Sequence, residues 1–187
     1  MRWIPFLILA YAVVLVETSV SWVLSVNVSW LGAVGPDLAA MVVVFVALYS
    51  RTAGDAMLAA WVMGLAVDLT SGGGVGSATV VGPMAVAYCL LAGQLWRIRE
   101  AFFRERALTQ VVLSLLFTAS AHWVWVTAQV LLAAGRVPFG DYAAAMGQAL
   151  LIGCYTALLM PLAHFGLLRI QRLILANPVG PTGRGRR

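Results

Sequence analysis

The stretch GLAVDLTSGGGVG, Gly64 to Gly76, sets one carboxylate, Asp68, among apolar and small residues just before a run of glycines. Three kinds of chemistry use such a pattern: a phosphate cradle, a catalytic acid and a structural corner. The P-loop pattern GxxxxGK[ST] fails for want of a lysine, and GxGxxG fails because Ser77 occupies its last position. Ser77 with His122 or His164 has the residue types of an intramembrane serine protease, but no GxSxG surrounds the serine and no third residue orients a base. Glu17 is the deepest acidic group, in the middle of the first apolar run, with Ser21 one turn later. An intramembrane carboxylate is a functional-site hypothesis by default; the alternative is a protonated glutamate bonded to a neighbouring helix. Proton transport would need a relay, and only His122, Asp68 and His164 could continue one from Glu17. Cys89 and Cys154 lie in separate apolar runs without a CxxC or Cys/His cluster, which reads as two buried free thiols.

The elements that must position these groups follow from composition. The chain of 187 residues is 62% hydrophobic and 10% charged, with a mean hydropathy of +0.93. A typical soluble domain is about a quarter charged, so the sequence describes an all-α integral membrane protein of one domain, residues 1–175, followed by a flexible arginine-rich tail, 176–187. The N-terminal segment has the charge and apolar run of a signal peptide but lacks an AxA-like cleavage site, so an uncleaved first span is expected. Cutting the chain at charges, prolines and glycines predicts a compact bundle of six transmembrane helices: Trp3 to Val23, Leu31 to Tyr49, Asp55 to Leu69, Val75 to Trp96, Ala107 to Leu132, and Tyr142 to Leu168 with an interfacial tail. The third is short for a bilayer, and the second contains Pro36, so it is either kinked there or begins there.

All twelve basic residues are arginine, which a GC-rich genome explains as well as any need for guanidinium chemistry. With six spans, one side collects Arg2, Arg51, Arg97, Arg99, Arg104, Arg106 and the five arginines from Arg169 to Arg187, leaving only Arg136 on the other. By the positive-inside rule both termini are cytoplasmic. The loop around Arg97, Arg99, Arg104 and Arg106 and the tail could attract anionic lipid or an acidic partner, or serve topology alone. No feature suggests nucleic-acid recognition.

This topology puts Asp68 at the external end of the third helix, away from cytoplasmic nucleotides. Ala56, Ala60, Gly64 and Asp68 recur every four residues, a stripe of small side chains that admits a close neighbour. An unpaired carboxylate in the core costs on the order of 2.5 kcal/mol or more. Asp68 is therefore expected to be hydrogen-bonded, with Thr70, Ser71 and the glycines offering backbone donors, as a polar lock. Ser114, Thr118, His122, Trp125 and Gln129 share one face of the fifth helix, which should meet protein or a cavity; Gln148 and Tyr155 of the sixth helix could meet that face.

The order of landmarks resembles a known family. ETS at Glu17 to Ser19, GPDL at Gly35 to Leu38, a short hydrophobic hairpin, GLAVDLTSGGGVGSA from Gly64 and an arginine-rich loop together are similar to the rod shape-determining protein MreD family, most clearly over residues 15 to 97. The resemblance implies a bacterial inner-membrane protein of the elongation machinery that builds side-wall peptidoglycan, without catalytic activity or cofactor. Its implied partners are MreC, the actin-like MreB filament, RodA and penicillin-binding protein 2. It implies a fold similar to the substrate-binding subunits of energy-coupling-factor vitamin transporters, so a vitamin-binding subunit is the alternative function. Pro36, Asp37, Gly64, Asp68 and Gly72 match the family pattern, and so does Glu17.

Overall fold

The computed structural model describes residues 1–29, 31–70, 80–101, 106–132 and 139–175. Gly72, Ser77, Arg104, Arg136 and the tail 176–187 lie outside the described residues, so the expectations placed on them stay open. Within them the chain forms six α-helices: α1 (Trp3–Leu24), α2 (Leu38–Tyr49), α3 (Ala53–Thr70), α4 (Pro83–Ile98), α5 (Ala107–Leu132) and α6 (Phe139–Ile174). A short antiparallel ribbon, β1 (Val26–Val28) and β2 (Gly32–Val34), precedes α2.

Of the two expected forms of the second helix, the one kinked at Pro36 gives way to one that begins close to it: the helix starts at Leu38, seven residues after Leu31. Gly32 adopts φ +83° in the turn of the ribbon, a conformation outside the helix, and proline disfavours helical geometry in the residue before it. The helix starts where it can, directly after Asp37, whose side chain accepts from the Ala40 N–H at 2.7 Å as an N-cap. The third helix is longer than expected. Thr52 caps it by accepting from the Asp55 N–H at 3.2 Å, and it runs the 18 residues Ala53–Thr70.

Four helices, α1, α3, α5 and α6, are long and apolar enough to cross a membrane. The short elements are α2, 12 residues, and α4, 16 residues, about 18 Å and 24 Å at 1.5 Å per residue. Burial departs from that of a water-soluble globule: the core is apolar, and so is much of the outer surface. Large apolar side chains face outward, among them Phe139 (83% exposed), Leu131 and Ile4, while Asp37, Asp68, Gln110, Gln129 and His164 are buried. This is the pattern of a multi-pass membrane protein, because lipid solvates leucine but cannot hydrogen-bond a carboxylate.

The core is α2: eleven of its twelve residues are buried, from Ala39 to Tyr49. It is sheathed by the other helices and touches little but protein, so its length need not match a bilayer. The closest helix pair is α3 against α4. A Cβ built on Gly64 would lie 2.6 Å from the Ala85 Cα and 2.7 Å from the Met84 carbonyl oxygen, so hydrogen is the only side chain that fits. Ala56 and Ala60, at the same four-residue spacing, are buried as well. Helix packing in lipid has no hydrophobic drive of its own, and such close approach supplies van der Waals contact in its place.

One end of the bundle gathers the start of α1, the α2–α3 turn, the end of α4, the start of α5 and the end of α6. The Arg2 N–H bonds the Ile174 carbonyl at 2.9 Å and the Met1 ammonium meets Asp55 at 3.2 Å. All seven described arginines, Arg2, Arg51, Arg97, Arg99, Arg106, Arg169 and Arg172, belong to this end. Arg99 departs from the expectation of a solvated or partner-facing charge. It is buried, donates to the Ser50 carbonyl and stacks 4.6 Å from the Trp96 ring centre, fastening the end of α4 to the end of α2. Arg97 and Arg106 are exposed.

Candidate functional site

Two buried carboxylates organise the polar interior, and each sits at a helix N-terminus, where unsatisfied N–H groups and the helix dipole favour negative charge. Asp37 begins α2. Its Oδ1 accepts from the Ala40 N–H, and its Oδ2 accepts from the Tyr88 hydroxyl at 2.5 Å and faces His122 Nε2 at 3.0 Å. Its backbone N–H donates to Thr156 Oγ1 at 2.9 Å. One residue therefore ties α2 to α4, α5 and α6. His122 stands ten residues from the end of α5, so this node lies deep in the bundle.

Beside it runs a crevice of about 330 Å³ bounded by Glu17, Ser25, Ala33, Pro36, Asp37 and His122. Glu17 comes from α1 and lines the crevice together with Asp37. Glu17, Pro36, Asp37 and His122, separated by up to 105 positions in the sequence, are thus brought to one place. Tyr88 and Thr156 complete the node. Neither stands out in the sequence, since a tyrosine or threonine inside an apolar helix has no spacing signal of its own; both are fully buried.

Asp68 forms a second, separate node. Its Oδ2 accepts from the N–H groups of Gly82 (3.0 Å), Met84 (3.0 Å) and Ala85 (3.1 Å), and its Oδ1 accepts from Trp125 Nε1 at 3.2 Å. Among the described residues its donors come from Gly82 and the first turn of α4, while the Thr70 hydroxyl bonds back to the Ala66 carbonyl at 2.9 Å; the expected donors at Ser71 and the glycines that follow it lie outside the described residues. With Gly82 at φ +123° and Pro83 opening the helix, α4 has no side-chain cap of its own, and Asp68 provides one from the neighbouring helix. Gly64 makes this possible, because its contact brings α3 against Met84 and Ala85 one turn before Asp68.

The polar face of α5 meets protein, as expected. His122 reaches Asp37, Trp125 reaches Asp68, and the Gln129 amide pairs with both backbone groups of Val80, at 2.8 Å and 3.0 Å. Ser114 and Thr118 are buried without a hydrogen-bond partner among the described residues. Gln148 departs from the expected contact and donates to the Ala33 carbonyl of β2 at 2.7 Å. His164 belongs to a third node near the arginine end, where its Nε2 lies 3.2 Å from the Tyr49 hydroxyl. Asp68 and His164 therefore have partners separate from those around Glu17, whereas His122 meets the Glu17 crevice through Asp37.

Chemically, the Asp37 and Asp68 nodes hold and align helices. Cys89 and Cys154 are free, and Cys154 is exposed on the outer surface of α6, contrary to a buried thiol. Among the described residues no group of three or more His, Cys, Asp or Glu is placed to hold a metal ion. Comparison of the chain with known families, with curated proteins and with solved structures returns no match.

Proposed function

We propose that the protein is a non-enzymatic scaffold of the bacterial cell-elongation complex, of the MreD type, resident in the inner membrane. The observation that carries the reading is the fate of the residues on which the resemblance rests. Both oxygens of Asp37 and of Asp68 are bonded to the chain's own donors, and Gly64 serves a helix contact. Such residues preserve a shape and leave no reactive group, which suits a protein that acts by docking others.

In this reading all six helices cross the bilayer, the two short ones buried against longer neighbours, in an arrangement similar to the substrate-binding subunits of energy-coupling-factor transporters. The arginine end faces the cytoplasm, because short basic loops are retained there. MreC, the MreB filament, RodA and penicillin-binding protein 2 are the partners, and binding shifts their populations toward an active assembly. The test is co-purification of the full chain with MreC from membranes, coupled to rescue of rod shape in cells lacking MreD. Bulky substitutions on exposed faces, such as Leu158→Trp, should reduce both. A protein that neither retains MreC nor restores shape would overturn the proposal.

A second reading is favoured by one observation, the crevice beside Glu17, Asp37 and His122. Its volume of about 330 Å³ falls at the low end of small-molecule pockets, roughly 300–1,000 Å³. In that case the protein binds a vitamin-sized ligand for a transporter, and stoichiometric ligand would accompany it through purification.

A further inference from the structure

At the arginine end a groove of about 340 Å³ opens between the end of α2, the start of α5 and the second half of α6. Its floor is polar and closed. Tyr49, Gln110 and His164 are each at least 95% buried, and Tyr49 and His164 are paired. Its outer wall is apolar and faces sideways: Phe165 is 70% exposed, Leu168 lines the groove, and Leu162 and Leu108 beside it are 70% and 75% exposed. The apolar wall offers an occupant a route from the hydrocarbon region.

The mouth has the opposite chemistry. Helical spacing places Arg172 four residues beyond Leu168 and seven beyond Phe165, on the same stripe of α6. Arg106 lies one turn before Gln110, whose N–H bonds the Arg106 carbonyl at 3.2 Å. Both arginines are exposed, and none of the groove's lining residues is acidic. The site therefore suits a molecule that is apolar at one end, anionic at the other, and delivered by the bilayer.

We propose that this groove is a binding site for one anionic phospholipid, with an acyl chain along Pro161, Phe165 and Leu168 and its phosphate between Arg106 and Arg172. Guanidinium groups suit phosphate oxygens because their planar donors match them in pairs. The inference is independent of the scaffold reading and of the Glu17 crevice, since it needs only a bilayer around the bundle.

The experiment uses the full chain, purified in mild detergent and measured by native mass spectrometry and thermal unfolding with added phosphatidylglycerol or phosphatidylcholine. One phosphatidylglycerol should be retained, with a higher melting temperature than phosphatidylcholine gives. The double variant Arg106→Gln/Arg172→Gln should weaken retention roughly thirty-fold, while Arg97→Gln, on the exposed surface of α4 outside the groove, should not. Leu168→Trp, which fills the groove and keeps both charges, should also lose the lipid. Equal retention of the two lipids, or equal loss in the Arg97 variant, would mean general surface charge and overturn the site. Undiminished retention by Leu168→Trp would do so too. Melting in phosphatidylcholine checks that each variant is folded.

Discussion

Asp37 and Asp68 are the same residue type in the same kind of place, a buried helix N-terminus, yet they are built differently. Asp37 caps the helix that it begins, and its second oxygen serves two side chains, Tyr88 and His122, next to a crevice. Asp68 caps a helix other than its own, across the 71–79 segment, and takes three backbone N–H groups and one indole. The first node is assembled from side chains, one of which, His122, borders the crevice and can turn or be hydrated. The second is fixed by backbone, whose donors have nowhere else to go. A carboxylate that satisfies a neighbouring helix makes the packing of two helices a condition for satisfying either, so Asp68 should be the stiffer and less replaceable of the two.

The most severe way to break that distinction acts through neither aspartate. Gly64→Leu would put a side chain where even a Cβ meets the α4 backbone at 2.6 Å. Neither backbone can yield without parting α3 from α4, which would also withdraw Asp68 from its donors. Overpacking of a rigid site commonly costs about 1–3 kcal/mol, and lost capping adds to it. Yield of monodisperse protein should collapse, with Gly64→Ala retaining a measurable part. Normal yield and melting temperature for Gly64→Leu would show that the α3–α4 contact is not what holds Asp68 in place.

Next in size is Asp68→Leu, which orphans three N–H groups; at about 1–3 kcal/mol for each buried unsatisfied donor, most of the stability should be lost. Asp68→Asn keeps a carbonyl oxygen to accept from α4, so its melting temperature should lie nearer the wild type. Equal losses for the two variants would assign the effect to charge at the helix terminus rather than to hydrogen bonding.

Asp37→Leu should cost less than Asp68→Leu, about 2–4 kcal/mol, made of a lost N-cap of about 1 kcal/mol and the orphaned hydroxyl of the fully buried Tyr88 at about 1–3 kcal/mol, while His122 borders the crevice and can turn toward it. Water reaching His122, whose side chain is 16% exposed, would soften the loss. The ranking is checked by denaturation of both variants in the same detergent. An Asp37 variant less stable than its Asp68 counterpart would reverse the comparison and make the side-chain node the keystone of the bundle.

How much of this could be read beforehand follows the same division between local and distant. The start of α2 was legible because Pro36 and Asp37 act on their own neighbours. Thr52 and Asp55 carry a capping signature that would have corrected the start of α3. The periodic face of α5 showed that His122, Trp125 and Gln129 turn inward, but spacing along one helix says nothing about which residue waits opposite. The donors to Asp68 are 14 to 17 positions away on another helix, and Tyr88 and Thr156 become polar partners only once α4 and α6 are in place. The β1–β2 ribbon was hidden because Val-Asn-Val fell between the first two expected spans and Gly-Ala-Val at the start of the second, and three residues are too few to show an alternation. Arg99 looked like another topogenic charge, and only the position of Trp96 and Ser50 turns it inward.

The smallest perturbation isolates what the indole adds to Asp68. Trp125→Phe removes the one donor to Oδ1 among the described residues and keeps an aromatic ring of similar shape, so the three N–H groups on Oδ2 stay satisfied. Hydrogen bonds between helices in membrane proteins average about 0.6 kcal/mol, and the melting temperature should fall by only a degree or two. Combined with Asp68→Leu, the substitution should add almost nothing, because its acceptor is already gone. Additive losses in that double variant would mean that Trp125 stabilises α5 by filling space, leaving the backbone donors of α4 alone to explain why an aspartate is buried there.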